Sequence, residues 1–384
     1  MRILFWTLVA LIAWSYVGYP VVLAGLAAVA GRRFRHDASL EPEVSIVIPA
    51  YNEESVIAAK LDNALSLDYP AEKLQIVVAS ESTDRTDAIV AARGAEHPGR
   101  ILLLTSTVRR GKVANLHRAV PQTRGAILVF TDANAMFHAD AVRKLVRWFA
   151  DERVGSVSGR LVLKVTGRSA SGRAEEIYWD VEQMVKKASS ALGSLPGANG
   201  SIFAMRRSLY RPISDRRGDD FELPIRAIID GHASILEPDA VSEEDASRRY
   251  RDEYRRKVRI INWMIVSALI LLREAVRAGR WLLVLQLVSH KLNRWASAVW
   301  LALLLPLSLL LAPQGGVYLL AAMGQMVFYT MAAGGLLLEQ AGTHVPRVLG
   351  VPLYFVVVNG ASLFGILTCA MGLEVRWHKR AGGA

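Results

Sequence analysis

Two long apolar stretches, one at each end of the chain, restrict the fold more than any other feature of the sequence. Residues 3–30 and 295–373 are almost wholly apolar, whereas the residues between them mix apolar and charged side chains. A helix rises 1.5 Å per residue, so residues 3–30 can cross a hydrocarbon core of roughly 30 Å. Three further spans are predicted in the second stretch, at Trp295–Ala312, Val317–Leu338 and Leu349–Leu373. The chain is therefore predicted to be a multi-pass membrane protein with one large domain between its spans.

Basic residues next to the apolar stretches indicate how the chain lies in the membrane. Arg32, Arg33 and Arg35 follow the first span, and the positive-inside rule then places the next domain in the cytoplasm, at the bacterial inner membrane. The net charge is +11, and the stretch 248–294 alone holds twelve Lys and Arg against three acids. Because apolar segments adjoin these cations, we expect a membrane-lipid partner and no nucleic acid. The single cysteine, Cys369, excludes an intrachain disulfide scaffold.

Two shorter apolar runs precede the C-terminal spans. Ile260–Leu272 would extend only about 20 Å as a helix, too short to cross, and arginines flank it. This pattern predicts an amphipathic helix at the membrane interface, and Trp281–Val288 is predicted to be a second one. One span followed by three places the basic tail, residues 374–384, on the side of the membrane opposite the large domain, although the cations of the tail favour the cytoplasm. The side of the membrane on which the tail lies stays open.

The central part alternates between β-rich and helical patterns. Strands are predicted at Val44–Ile48, Leu74–Val78, Ile101–Leu104 and Ala126–Phe130, with helices at Glu54–Leu65, Thr86–Arg93 and Val113–Ala119. Alternation of this kind predicts parallel strands wrapped by helices, with ligands bound beyond the carboxyl ends of the strands.

Polar residues follow each predicted strand, which is where the chemistry is expected. The four segments are Tyr51-Asn52-Glu53, residues 80–86, Arg109-Arg110-Gly111-Lys112 and Thr131-Asp132-Ala133-Asn134. Taken singly, several of these residues also fit helix caps, turns or solvated surface. Together they predict a rim for a nucleoside diphosphate, with a carboxylate for a divalent cation, Lys112 for the phosphates and Tyr51 for stacking on a base.

Seven stretches make the chain resemble the membrane-anchored family 2 glycosyltransferases, which have the GT-A fold. They are SIVIPAYNEE (45–54), STDRT (82–86), RRGKVANLHRAV (109–120), ILVFTDANAMF (127–137), LPGANGSIFAMRRSLY (195–210), DDFELPIR (219–226) and SHKLNRW (289–295). The resemblance implies an α/β fold, a Rossmann-like mixed sheet with helices on both faces. It implies a domain order of anchor (1–31), catalytic domain (40–258), interface helices (259–294), membrane region (295–373) and tail.

The resemblance also assigns roles to single residues. It implies that the nucleotide sugar contacts Tyr51, Glu53, Glu81, Asp84, Lys112 and Asp132. Asp132 and Asn134 would hold Mg²⁺ or Mn²⁺, and Asp220, paired with Asp219, would be the catalytic base. Gly197 and Asn199 lie where the acceptor would approach. The base would deprotonate an acceptor hydroxyl as that hydroxyl attacks the anomeric carbon, which inverts configuration.

Synthases that extend and export polymers carry a QxxRW motif, and the corresponding stretch here is Arg256-Lys257-Val258-Arg259-Ile260. Arg256 and Arg259 are predicted to contact the acceptor, and the departure from the motif favours single additions. The predicted function is transfer of a hexose or N-acetylhexosamine from a nucleotide sugar, UDP-linked, to a lipid-linked or growing glycan at the inner leaflet. Other polysaccharide-assembly proteins are expected as further partners. A processive synthase and a catalytically silent scaffold are the alternatives.

Overall fold

The computed structural model describes residues 1–164, 171–215, 217–245 and 250–373, with the backbone alone at 171–180 and 250–253. The predicted basic tail, residues 374–384, lies outside the described residues, so its side of the membrane stays a prediction. The described part combines a mixed sheet, helices packed on it, and long apolar helices at both ends.

The described strands form one eight-stranded sheet in the order β3-β2-β1-β4-β7-β6-β8-β5. Their bounds are β1 Val44–Ala50, β2 Leu74–Ser80, β3 Ile101–Thr105, β4 Ile127–Phe130, β5 Met136–Phe137, β6 Val154–Lys164, β7 Phe203–Arg206 and β8 Ala233–Asp245. Strands β3, β2, β1 and β4 are parallel, whereas β7 runs antiparallel to β4 and to β6. The predicted mixed sheet is confirmed. The four sequence-predicted strands form one parallel half, and β6 and β8 are a further parallel pair.

The central strands β1 and β2 are buried along almost their whole length because helices cover both faces of the sheet. One core joins residues of β1 and β2 to Ile57 and Leu61 of the first covering helix, and a second core on the other face includes Val47, Val113 and Leu116. Strand β1 runs past Pro49 to Ala50, two residues beyond its predicted end. Strand β4 pairs with β1 only as far as Val47, so the proline lies where β1 has a neighbour on one side only, a position that tolerates its missing N–H.

The helices divide between the domain and the two ends of the chain. Their bounds are α1 Arg2–Ala13, α2 Tyr19–Ala30, α3 Ile57–Leu65, α4 Thr86–Glu96, α5 Lys112–Ala119, α6 Ala141–Val146, α7 Ser171–Ala191, α8 Asp219–Ile229, α9 Tyr250–Arg277, α10 Trp281–Gln286, α11 Asn293–Leu311, α12 Gly316–Gln340 and α13 Arg347–Ala370. Four helical segments of the described chain are long and apolar enough to cross a membrane: Arg2–Ala30, Trp281–Gln314, Gly316–Gln340 and Arg347–Ala370. This agrees with the predicted one span plus three.

The segment between domain and membrane differs from its predicted form in two respects. The predicted interface helix Ile260–Leu272 is the inner part of α9, which begins at Tyr250, so the predicted domain boundary at 258 falls inside a helix. The predicted second interface helix, Trp281–Val288, is instead the start of a membrane-length helix, because the polar residues after it lie in a π-helical turn, Leu287–Leu292, that joins α10 to α11. Ser289 is accommodated there because its hydroxyl accepts a hydrogen bond from the Trp14 indole, at 2.9 Å.

Candidate active site

The loops after β1 and β2 are joined into one unit at the carboxyl edge of the sheet. Asn52 has a φ of +55°, in the left-handed region that asparagine tolerates better than most residues. In this conformation its backbone N–H donates to the Ser82 hydroxyl at 2.9 Å, and its side-chain carbonyl accepts from the N–H of Thr83 at 2.8 Å. The two predicted nucleotide loops are therefore bonded directly to each other.

Asp84 strengthens this connection. One carboxylate oxygen accepts from the N–H of Thr86 at 3.0 Å, and the other accepts from the N–H of Glu54 at 3.2 Å. The Thr86 hydroxyl in turn accepts from the N–H of Glu53 at 2.8 Å. Both oxygens of Asp84 are thus engaged in holding the loops, so the structure gives this residue a positioning role beside the nucleoside contact implied by the resemblance.

Glu81 orients the turn that begins α5. Its side chain is buried, and one oxygen accepts from the N–H of Gly111 at 2.9 Å. Gly111 has a φ of +99°, a conformation that residues with a Cβ rarely adopt, and Lys112 is the next residue and the first of the helix. Glu81 therefore sets the direction in which Lys112 leaves the sheet edge.

Tyr51 lies at the same edge with one face of its ring covered. The guanidinium carbon of Arg109 is 3.9 Å from the centre of the Tyr51 ring, within the distance of a cation–π contact. A base that stacks on this ring either uses the other face or displaces Arg109.

Lys112 connects the end of β4 to the start of α8. Its Nζ lies 2.9 Å from Oδ1 of Asp132 and 3.3 Å from Oδ2 of Asp219. Burial opposes the charge on this amine, but the carboxylates of Asp132, Asp219 and Asp220 outweigh it and raise the pKa of Lys112. The lysine is therefore held as a cation at the centre of three carboxylates.

The two aspartates at the start of α8 differ in their surroundings. Asp219 is buried, and its Oδ2 receives no hydrogen bond within the described chain although Lys112 is near. Burial raises the pKa of Asp219. Burial also raises the pKa of Asp220 to about 6, with a further contribution from the charge of Asp219. A carboxylate with this pKa is largely ionised at neutral pH and remains a competent proton acceptor.

The predicted acceptor loop contacts Asp220 directly. The N–H of Ala198 donates to the backbone oxygen of Asp220 at 2.7 Å, and a Cβ at Gly200 would lie 2.9 Å from Asp220 Oδ2. Gly197 has a φ of +120°, so glycine is required there too. The Asn199 side-chain oxygen accepts from the Ser201 hydroxyl at 3.0 Å and so stabilises the loop. The loop is shaped around the carboxylate of Asp220.

With this geometry in view, the chain can be compared with known proteins. The model of glycosyl transferase family 2 matches residues 45–213. Residues 45–213 are thus similar to a glycosyl transferase family 2 domain. The matched region begins in β1 and contains Lys112 and Asp132, whereas Asp219 and Asp220 lie just beyond it.

Two curated relatives match the glycosyltransferase domain and its surroundings. Beta-monoglucosyldiacylglycerol synthase of Nostoc sp. is 29% identical over 203 residues, which are 49% of this chain and 42% of that protein. An N-acetylglucosaminyltransferase of Rhizobium meliloti is 26% identical over 219 residues, 52% of this chain and 50% of that protein. The chain thus spans about half the length of these relatives or less.

A solved structure is similar over nearly the whole chain. Mannosyltransferase PcManGT from Pyrobaculum calidifontis, determined in complex with GDP-Man and Mn²⁺, superposes with a TM-score of 0.69 at 24% identity. The similarity covers 97% of this chain and 100% of that one. It confirms the predicted GT-A fold.

The glycosyltransferase domain has one carboxylate suited to a metal ion at the end of β4. Asp132 is 41% exposed, and Asn134 follows it two residues later. The described residues contain no group of three or more His, Cys, Asp or Glu side chains arranged around an ion. Mg²⁺ is commonly bound through one or two carboxylates together with substrate phosphates, and Asp219, whose Oδ2 is ion-paired with Lys112, is a second carboxylate nearby. The residues present fit an ion shared with a diphosphate.

A buried lysine below this loop was not predicted from the sequence. Lys60 is 1% exposed, and its Nζ donates to the Thr131 hydroxyl at 3.0 Å and to the carbonyl of Ala135. It thereby fixes both ends of the segment that carries Asp132 and Asn134. Burial lowers the pKa of Lys60 to about 7. The signal in the sequence was a lysine on the same helical face as Ile57, Leu61 and Ala64, all of which are buried.

A second cation not predicted from the sequence lies near Asp220, on the π-helical turn that joins α10 to α11. The Nζ of Lys291 lies 5.6 Å from the centre of the Phe221 ring, and its charge acts to lower the pKa of the neighbouring Asp220. Lys291 belongs to the SHKLNRW stretch, although no role was assigned to it there. The predicted acceptor residues Arg256 and Arg259 lie on α9, eight and five residues before Met264, whose methyl group would lie 3.8 Å from a Cβ at Gly218. Their contact with an acceptor stays a prediction.

Proposed function

We propose that this chain transfers a sugar from a nucleoside diphosphate sugar, a UDP-sugar, to a lipid-linked or growing glycan acceptor at the membrane surface, with inversion of configuration. The observation that carries the proposal is the position of Lys112, which is ion-paired with Asp132 on one side and with Asp219 on the other, next to Asp220. Lys112, which is suited to binding a diphosphate, thus lies next to Asp220, which is suited to accepting a proton, within a GT-A fold.

The donor would lie along the edge where β1, β2 and β4 end. Lys112 is the first residue of α5, where the helix N-terminus adds a partial positive charge beside its ammonium group. Tyr51 and the joined loops after β1 and β2 form the wall proposed for the nucleoside. Glu53, Glu81 and Asp84 belong to this wall through the hydrogen bonds described above.

The proposed reaction is a single displacement. A carboxylate oxygen of Asp220 takes the proton of an acceptor hydroxyl while that oxygen forms a bond to the anomeric carbon. The bond from this carbon to the diphosphate breaks with its electron pair, and the nucleoside diphosphate leaves from the opposite face. General-base assistance of this kind is worth roughly 10²–10⁴ in rate. Lys112 stabilises the charge on the departing diphosphate.

Mg²⁺ or Mn²⁺, held by Asp132 and Asn134, would neutralise further charge on the departing diphosphate. Because Asp132 is paired with Lys112 in this structure, ion binding requires the carboxylate to exchange that partner or to share it. During such an exchange Asp219 would keep Lys112 in place through its own ion pair. The proposed role of Asp219 thus differs from that of the proposed base, Asp220.

The acceptor would come from the membrane side of Asp220. Helices α8 and α9 pack together through Phe221, Ile225 and Leu271, and Leu287 of the membrane-length helix joins the same cluster. The proposed base is thus close to a helix that is apolar enough to cross a membrane. A relative named for a glucosyl diacylglycerol product supports a lipid acceptor. Arg32, Arg33 and Arg35 after the first span support a cytoplasmic domain at the inner membrane.

The test uses the purified full-length protein with Mn²⁺, extracted bacterial lipids and a panel of radiolabelled UDP-glucose, UDP-N-acetylglucosamine and GDP-mannose. We expect one donor to give a lipid-extractable product carrying a single added sugar. A polymeric product would favour the processive synthase instead. Absence of labelled product and of donor hydrolysis for the whole panel would contradict the proposal.

A further inference from the structure

A cavity of about 420 Å³ opens where the first membrane helix meets the glycosyltransferase domain. Its walls come from three places: the segment after α2, with Arg32 and Arg33; the end of α7, with Lys187; and the beginning of β8, with Ile235 and Leu236. Asp132, Asp219 and Asp220 do not line it. It is therefore a separate cavity from the candidate active site.

The mouth of this cavity is positively charged without compensation. Arg32, Arg33 and Lys187 line it together with His36, and no acidic side chain belongs to the lining. Within the described ranges, Arg32, Arg33 and Lys187 have no ion pair to a carboxylate. Two acids in adjoining segments are already paired with other cations: Asp151 pairs with Arg153 at 2.6 Å, and Glu237 pairs with Arg147. An anion entering the cavity would meet three cations free to pair with it.

The floor of the cavity is apolar and held in place. Ile235 is 2% exposed and Leu236 is 9% exposed. The indole N–H of Trp148 donates to Glu237 at 2.6 Å, which fixes the ring, and Phe34 fits against Gly193 so closely that a Cβ there would lie 2.8 Å from its ring. The cavity thus combines a cationic mouth with a preformed apolar floor.

Its location indicates what such a combination binds. Helix α2 ends at Ala30, the last residue of the first candidate membrane span, and Arg32 follows two residues later. Cations directly after a span lie at the depth of lipid headgroups, where they attract anionic lipid. We propose that the cavity binds the phosphate headgroup of an anionic phospholipid, with its glycerol and upper acyl carbons against Trp148 and Leu236.

This lipid would be a bound partner that seats the domain on an anionic leaflet, not the sugar acceptor. The proposal stands apart from the function proposed above, because the cavity contains none of the residues assigned to transfer. Its test therefore measures lipid binding, and neither the sugar donor nor the sugar acceptor needs to be known.

The experiment titrates the full-length, delipidated protein in detergent with phosphatidylglycerol or phosphatidylcholine and counts bound lipids by native mass spectrometry. We expect one phosphatidylglycerol to bind the unmodified protein at least about tenfold more tightly than phosphatidylcholine. The triple variant Arg32→Ala/Arg33→Ala/Lys187→Ala should lose this preference. The double variant Arg32→Lys/Arg33→Lys should keep most of it, because the charge remains.

The matched control removes three cations that do not line the cavity, Lys73→Ala/Arg93→Ala/Arg124→Ala, and should bind phosphatidylglycerol like the unmodified protein. A thermal unfolding scan of each variant identifies any that is misfolded. Equal affinity for the two lipids, or an unchanged preference in a folded triple variant, would overturn the proposal. Displacement of phosphatidylglycerol by millimolar inorganic phosphate would show instead a site for free phosphate and would also overturn it.

Discussion

The Nζ of Lys112 lies 2.9 Å from Oδ1 of Asp132, so the cation proposed to bind the diphosphate is already paired with the carboxylate proposed to bind the metal. The two residues come from α5 and from the turn after β4, and the same amine is 3.3 Å from Asp219 of α8. The side chain of Lys112 therefore connects three separate segments of the site: α5, the turn after β4 and the start of α8. Several consequences of this arrangement can be measured.

Replacement of this lysine should weaken donor binding. In Lys112→Met the side-chain length is kept but the charge next to the diphosphate is lost, and Asp132 and Asp219 lose the cation between them. We expect nucleoside diphosphate affinity to fall by about 10-fold or more and kcat/KM for transfer to fall further, since the leaving group loses stabilisation. Calorimetric titration with UDP and GDP measures the first effect. Lys73→Met, a partly exposed lysine just before β2 at the opposite edge of the sheet, is the control and should change affinity little. Equal losses in both variants would contradict the assignment.

The metal assignment predicts that chelation abolishes transfer. Asp132→Ala should remain folded, because the side chain is 41% exposed and Lys112 keeps its second partner, but it should not recover activity at any Mn²⁺ concentration. Activity assays across a Mn²⁺ titration, after treatment with EDTA, test this. Asp239→Ala removes an exposed carboxylate elsewhere and should behave as the unmodified protein. Near-normal turnover of Asp132→Ala would show that the ion is held by other residues.

The pKa of Asp220 predicts how transfer depends on pH. Burial raises that pKa to about 6, and the base must be deprotonated to act, so kcat/KM should increase as the pH rises through about 6. The charge of Lys291 acts in the other direction and lowers the pKa of Asp220. Lys291→Met should therefore move this limb of the pH profile upward, by up to about one unit. Arg277→Met, an exposed cation at the end of α9, should leave it in place. A downward shift in Lys291→Met would contradict the proposed base.

Lys60 should make stability depend on pH. Burial lowers its pKa from 10.5 to about 7, so between these values the folded protein has released a proton that the unfolded chain still binds. Stability rises with pH wherever the unfolded state binds more protons, so the contribution from Lys60 should increase from about pH 7 to pH 10. The melting temperature of Lys60→Met, compared with that of the unmodified protein at pH 7, 8 and 9, should lack this part of the rise. Lys73→Met, a partly exposed lysine, should retain it; an identical pH dependence in both variants would refute the prediction.

Local sequence patterns were enough to predict the parallel half of the sheet and the number of candidate spans. Strands β1 and β2 are buried on both faces, so their apolar runs are continuous and end at polar loops within two residues of the predicted limits. Contacts between distant residues could not be predicted in the same way. Lys60 donates a hydrogen bond to Thr131, which lies 71 positions further along the chain. In the π-helical turn, Ser289 accepts a hydrogen bond from Trp14 of the first candidate membrane span. Without that partner, the polar residues after Val288 have the pattern of a helix end.

The same reason explains why the sequence predicted which residues lie at one edge of the sheet but not the contacts that they make. Asp84 and Glu81 were identified by their position after β2, yet the backbone groups that they bind belong to the loop after β1 and to the turn before α5. Their hydrogen bonds exist only because the parallel strands bring these loops to one edge. The sequence was enough to locate this edge of the sheet. The fold was needed to show that Asp84 and Glu81 hold the loops in position.

The measurement that tests the account most directly separates binding from transfer at Asp220. Asp220→Asn keeps the size of the side chain beside Gly200 but removes the proton acceptor. Nucleotide affinity should change less than about threefold, because Lys112 and the loops of β1 and β2 are untouched, while single-turnover transfer should fall by roughly 10² or more. Asp219→Asn should lower the rate less. If Asp220→Asn transfers sugar at the unmodified rate while Asp219→Asn does not, the two aspartates have exchanged roles; if neither substitution slows transfer, the base lies elsewhere and the account is wrong.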